Sequence, residues 1–311
     1  MLREFLPRDA ARLIAYYREE FAEERYLETD LDKMADLLRR SFGVGPRLVL
    51  RFARWFGRPI VRFFAVEEDG AMVGTAFLSY LSRAGFVALV QVVPEYRRRG
   101  IATQLMGACD RALRAAHREY AVLDVLEDNT AGRGLYTKLG FRTLEVREVL
   151  TRETQENPAP EHDGSGLRPL DRADASELVS LATGGLAPEQ ARILPPESKQ
   201  FFIRPMVAQA LASETMAWVA VADGRPAGFI RATVSHIMAA AHITAPLLSP
   251  SLSPGLARSL LKEAVAWDVE RHARRVLCEI PVGDERARAL LVESGFRPAY
   301  RLLTLYRPLG N

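Results

Sequence analysis

Residues 92–106 read VVPEYRRRGIATQLM. An apolar run over 86–93 (FVALVQVV) ends at Pro94, and a stripe of Ile101, Leu105, Ala108 and Ala112 at helical spacing begins just after Gly100. The spacing predicts a strand, a tight turn and a helix. Such a turn lines up backbone N–H groups at a helix start, where the macrodipole already favours negative charge. Gly100 lets the backbone come close to a ligand, Ala102 keeps the first turn uncluttered, and Arg97, Arg98 and Arg99 add charge suited to phosphates. No GK[ST] follows, so this is a pyrophosphate cradle outside the Walker type. A surface turn with solvated arginines fits the same residues, and this stretch alone does not decide between them.

Outward from it, the plan recurs. Residues 64–77, FAVEEDGAMVGTAF, read as strand, Asp-Gly turn, strand. Residues 218–232, WVAVADGRPAGFIRA, repeat that layout, with Asp223-Gly224 matching Asp69-Gly70 and Gly228 matching Gly74. A helix over 100–117 is answered by one over 254–272, and strands AVLDVL (121–126) and RVLCEI (275–280) follow. Each copy then runs into a similar phrase, LYTKLGFR at 135–142 and LLVESGFR at 290–297. Two copies at an offset of 154 or 155 residues are one duplicated unit, not a solenoid. Between them the stretch from Thr151 is polar, with prolines and glycines, and reads as a linker. The expected domains are therefore 1–150 and 166–311, with the linker over 151–165. Residues 31–42 and 47–57 are patterned as two amphipathic helices, expected to pack on their own sheet.

Arg97-x-x-Gly100-x-Ala102 after a strand ending in V-x-P, with Asn129, Gly132, Leu135-Tyr136, Lys138 and Gly140-Phe141 downstream, resembles the GNAT N-acetyltransferase superfamily. Gly132 stands where that family's N-x-x-A-x-x-L-Y-x-K-x-G-F pattern has alanine. The resemblance covers 1–150. It implies an α/β fold of two tandem GNAT-like domains, each a mixed β-sheet flanked by helices. Two central strands would splay apart, with the pantetheine arm of CoA in the gap like an extra strand.

It also implies acetyl-CoA as cosubstrate, no metal, and transfer of the acetyl group to a primary amine. The backbone of Val90, Gln91 and Val92 would pair with pantetheine, and the Val90 N–H would polarise the thioester carbonyl. Arg97, Arg98, Arg99, Gly100, Ile101, Ala102 and Thr103 would hold the pyrophosphate, and Asn129 would contact the cofactor. Tyr136 would protonate the departing thiolate, since an unperturbed phenol (about 10) keeps its proton at neutral pH. Asp124 is the candidate base; Glu127, Asp128 and a water-mediated path stay open. So do a non-catalytic acyl-CoA-binding or regulatory module, and an acyl chain longer than acetyl.

The second copy has lost these features. Leu252 takes the arginine position, Pro254 removes an N–H donor before Gly255, Asp284 replaces Asn129 and Leu291 replaces Tyr136. Chemistry is thus expected in the first copy only. The second is left to wall an acceptor cleft, with Trp218, Arg231, His236 and His242 as candidates for its lining, or to form a homodimer surface. A net charge of +3 does not argue for nucleic acid, and no apolar run reaches the roughly 18 residues that would cross a membrane. The expected acceptor is a small-molecule or peptide amine, and the expected compartment is the cytoplasm. Cys109 and Cys278 fall in apolar patterns and read as buried free thiols.

Overall fold

The computed structural model describes residues 1–5, 9–20, 61–154, 166–201, 213–235 and 240–310. The helices expected over 31–42 and 47–57, and His236, lie outside them. The described chain divides into two compact units. One takes the residues up to Glu145 together with Leu303 and beyond; the other runs from Val146 to Leu302.

The first unit is a mixed sheet of β1 (Leu2–Glu4), β2 (Val61–Glu68), β3 (Ala71–Tyr80), β4 (Ala84–Val92) and β5 (Tyr120–Leu126), in that spatial order. β1 to β4 pair antiparallel and β4 pairs parallel to β5. The β2–β3 hairpin turns at Asp69 (φ 51°) and Gly70 (φ 75°), a turn with both central residues left-handed that suits the strand twist. Helix α1 (Asp9–Glu20) covers one face, where Phe5, Ala10, Leu13, Phe63, Ala65 and Met72 form the core. Helix α2 (Ile101–Ala115) packs on β2, β3 and β4 and buries Ile101, Leu105, Met106, Ala108, Cys109, Ala112 and Leu113, the stripe read from the sequence. Gly74 permits that approach: a Cβ there would lie 2.8 Å from Ile101 Cγ2 and 3.0 Å from the Gln91 carbonyl oxygen. After β5 come α3 (Thr130–Lys138) and β6 (Arg142–Glu153).

The second unit repeats the plan with β7 (Leu167–Pro169), α4 (Ala175–Gly184), α5 (Pro188–Ile193), β8 (Ser213–Ala222), β9 (Arg225–Ser235), β10 (Ala240–Ile243), β11 (Leu247–Leu248), α6 (Pro254–Glu270), β12 (Arg275–Pro281), α7 (Glu285–Glu293) and β13 (Arg297–Pro308). Its hairpin turns at Asp223 (φ 51°) and Gly224 (φ 74°), and a Cβ on Gly228 would meet Leu252 Cδ2 at 2.8 Å. The repeated glycine thus does the same work in both copies, letting the long helix or its lead-in reach the sheet. Cys109 and Cys278 are both free and buried.

Two features depart from the sequence reading. Thr151–Glu153, assigned to the linker, continue β6 and pair with β12, Glu153 opposite Arg275 with an ion pair of 2.7 Å. Charge matched across a strand pair looks like linker polarity when only one strand is visible. The rest of the expected linker, 155–165, lies outside the described residues. The last strand is also exchanged: the end of β13, Leu303–Pro308, belongs to the first unit beside β5, whereas Val146–Glu153 of β6 belongs to the second unit beside β12.

Candidate active site

The parallel pairing of β4 with β5 runs from Ala84↔Tyr120 to Val87↔Leu123 and stops there. Two residues further, Leu89 adopts φ 51°, a costly left-handed conformation for a γ-branched side chain. Ala88 pairs with Phe77 and Gln91 with Thr75, so Leu89 and Val90 face the single residue Ala76: a β-bulge. The buried Thr75 hydroxyl holds the bulge by donating to the Leu89 carbonyl at 3.3 Å. The bulge turns the end of β4 away from β5 and opens a gap. Val93 N–H donates to the Val73 carbonyl across β3. By alternation along the strand, Val92 and Val90 aim their backbone groups to the opposite side, into the gap.

Past β4, Pro94–Tyr96 form a single 3-10 turn closed by Arg97 N–H to the Pro94 carbonyl at 3.1 Å. Arg98 (φ 64°) and Gly100 (φ 79°) are both left-handed, and Gly100 caps α2 with no side-chain hydrogen bond. The first bond inside the helix is Gln104 N–H to the Gly100 carbonyl at 2.9 Å, so Ile101, Ala102 and Thr103 precede any intrahelical acceptor for their N–H groups. A Cβ on Gly100 would meet nothing within 4 Å, so the space over the turn is open. Arg97 Nε reaches back to the Val92 carbonyl at 3.1 Å, and Arg99 stacks on Tyr96 at 4.8 Å from the ring centre. Arg97, Arg98 and Arg99 are all exposed. Left-handed backbone, unfilled N–H donors and three arginines around empty space suit a diphosphate.

Asn129 has a structural task. Its side-chain oxygen caps α3 by accepting from Gly132 N–H at 2.8 Å. A Cβ on Gly132 would sit 3.1 Å from that side chain, which accounts for glycine at a position where the motif has alanine. Tyr136 is buried, its ring edge-on to Phe141 at 5.8 Å. Burial, with the Cys109 thiol adding to it, pushes its phenol up to about 12. The hydroxyl therefore keeps its proton throughout the neutral range.

Asp124 follows Leu123, the last β5 residue paired to β4, and so stands at the fork where the strands part. It is half-buried between buried Leu123 and Val125, on the opposite face from both. Its carboxylate accepts from Thr304 Oγ1 at 2.7 Å. Glu127 and Asp128 lie beyond the strand end and are exposed. The exchanged strand braces this end of the unit elsewhere too. Arg307 donates to the Leu139 carbonyl at 2.9 Å, pairs with Asp110 and stacks on Phe141 at 4.9 Å. Sequence reading missed both Thr304 and the Leu89 bulge.

The matching turn of the second unit is filled. Ser253 caps α6 by accepting from Leu256 N–H at 3.2 Å, and Pro254 offers no N–H. Arg286 reaches from α7 to the carbonyls of Ser249 (2.6 Å) and Leu252 (2.5 Å). Leu252 is buried against the sheet, and Leu291 is buried where the first unit has Tyr136. The second unit also carries an extra residue at this register, since Ile243 pairs with Ala232 and Leu247 with Phe229, but among its described residues the left-handed non-glycines are Asp223 and His272, so nothing there repeats the strained backbone of Leu89. Asp284 caps α7 as Asn129 caps α3, accepting from Ala287 N–H at 3.0 Å; the Asn-to-Asp change keeps the cap. Trp218 is core, edge-on to Trp267. No helix of the described residues is long and apolar enough to cross a membrane.

Residues 31–141 match the profile of the acetyltransferase (GNAT) family. The chain is 33% identical over 97 residues to an N-alpha-acetyltransferase of Sulfurisphaera tokodaii, an alignment of 27% of this chain and 58% of the relative. It is 34% identical over 83 residues to an acetyltransferase of Pectobacterium atrosepticum, covering 27% and 59%. The chain thus spans under two thirds of the length of these curated relatives. Its fold is similar throughout to a tandem GNAT protein from the clavulanic acid biosynthesis pathway (TM-score 0.71, 16% identity, 100% and 99% of the two chains). A GCN5-related N-acetyltransferase from Sphaerobacter thermophilus is also similar (TM-score 0.64, 17% identity, 100% and 96%).

Proposed function

We propose that this chain, which carries a GNAT acetyltransferase-family domain over 31–141 within a tandem GNAT fold, transfers an acetyl group from acetyl-CoA to a primary amine in its first unit. The observation that carries the reading is the contrast between the two turns: left-handed and open at Gly100, capped and stapled at Ser253.

The diphosphate of CoA is held by the turn from Arg97 to Thr103, and pantetheine lies along Val90–Val92 in the gap. Fixing donor and acceptor together supplies much of the rate. The amine nitrogen attacks the thioester carbon while the Val90 N–H stabilises the developing oxyanion. The N–C bond forms, the C–S bond breaks, and the amine's proton passes to Asp124, directly or through a water. Tyr136 donates to the leaving sulfur. With the phenol near 12 and an ordinary thiol near 8.5, its larger contribution is a hydrogen bond to the developing thiolate.

The test is thiol release from acetyl-CoA in the presence of a panel of amines, amino acids and peptides with free N-termini. Amine-dependent release supports the reading. Binding of acetyl-CoA without turnover by any amine supports a sensor module in its place.

A further inference from the structure

The face of the second unit's sheet that lies away from α6 and α7 carries a group of polar side chains outside the acetyl-CoA site. Register places them together. Arg231 and Thr233 alternate on β9, His242 on β10 is opposite Thr233, and Thr215 on β8 is opposite Thr233 from the other side, its hydroxyl 3.3 Å from the Thr233 hydroxyl. His242 pairs in turn with Leu277, whose same-face neighbour two residues on is Glu279. Glu279 is the first β12 residue after the last β10–β12 pair, Ile243↔Cys278, the place that Asp124 holds in the first unit.

The charges on this face do not balance. Glu279 is matched by Arg147 at 2.5 Å. Arg231 has no carboxylate partner among the described residues. Nη1 donates to the Gln200 carbonyl at 2.6 Å in a solvent-exposed bond, while Nε is buried with no acceptor among the described residues. At the offset of 154 that matches Gly74 with Gly228, Arg231 stands where the first unit has Phe77, an apolar side chain packed edge-on to Phe63 at 5.6 Å. One copy thus fills this place with an aromatic ring and the other with a half-buried cation. A charge buried without its counter-ion is strongly unfavourable, whereas a bound anion would compensate it.

We propose that the second unit binds a small carboxylate-bearing molecule on this face, with its carboxylate on the outer edge of the Arg231 guanidinium. The planar fork of Arg231 matches a carboxylate through two parallel hydrogen bonds. The Thr215 and Thr233 hydroxyls and His242 lie along the same face for the rest of the molecule. Burial lowers the pKa of Arg231 with no carboxylate opposing it, and burial likewise lowers that of His242, with Glu279 opposing. This site does not depend on acetyl transfer in the first unit.

The test is thermal unfolding of the full chain in sodium acetate against sodium chloride at matched ionic strength, with sodium phosphate as a further arm. The expected result is a saturable, acetate-specific rise of about 2–4 °C in wild type. Arg231→Met should lose the rise while melting no lower than wild type in chloride, and Arg231→Lys should keep a weakened one. No acetate-specific rise, or a rise that survives in Arg231→Met, overturns the proposal. An equal rise in phosphate overturns the assignment to carboxylates.

Discussion

Thr304 on the last strand donates its hydroxyl to Asp124 at 2.7 Å, across 180 positions of sequence. The candidate base of the first copy is thus held by the final strand of the second. A hydrogen bond to a charged group contributes about 1.5–3 kcal/mol. If Asp124 accepts the amine's proton, Thr304→Val should lower kcat about 10- to 100-fold with acetyl-CoA affinity kept, and Thr304→Ser should restore it. Asp124→Asn should cost more, about 10²–10⁴ in kcat. Wild-type turnover in Asp124→Asn would remove it from the mechanism and leave a water path.

Tyr136→Phe removes only the hydroxyl from a ring packed on Phe141. Folding and acetyl-CoA binding should be unchanged, while kcat falls by about 10² or more. Steady-state kinetics beside calorimetric affinity separates the two, and equal rates would dismiss Tyr136 from the leaving-group step.

The two matched glycines should fail differently. Gly74→Ala places a Cβ 2.8 Å from Ile101 Cγ2 at the start of α2, so it should shift the cradle and weaken acetyl-CoA binding. Gly228→Ala meets Leu252 at the same distance and should cost about 1–3 kcal/mol of stability with acetyl-CoA affinity intact. Loss of affinity from Gly228→Ala would mean that the second turn also takes part in binding.

What could be read in advance was local chemistry. The Asp-Gly turns, the glycine before α2 and the apolar stripe of that helix are set by residues close in sequence, and all stand where they were expected. The strand exchange is a long-range choice. LEVREVL in β6 and RLLTLYR in β13 carry much the same pattern, and nothing within either says which sheet it will join. The Leu89 bulge was hidden because leucine is no turn former; Thr75, which holds it, stands where the second copy has Phe229. Asn129 and Asp284 looked like a lost ligand contact but share a capping role that each residue performs well.

Asp268 on α6 is fully buried, with neither carboxylate oxygen hydrogen-bonded to any described residue, and burial raises its pKa to about 8. Folded, it keeps its proton up to that pH; unfolded, only to about 4. The folded state therefore binds more protons between pH 4 and 8, and stability should fall as pH rises through that window. Asp268→Leu, which introduces the residue that the first copy has at Leu113, should melt higher than wild type at pH 8.5, by roughly 1–3 kcal/mol in stability. The gap should narrow at pH 5, and thermal melts of both proteins at the two pH values decide it.

The central claim is that one copy kept its cradle and the other filled it. Calorimetric titration of the full chain with acetyl-CoA, in wild type and Gly100→Val, tests this most directly, with circular dichroism confirming that the variant folds. The account predicts one site per chain, lost in Gly100→Val. Two sites per chain, or one that survives the substitution, would contradict it.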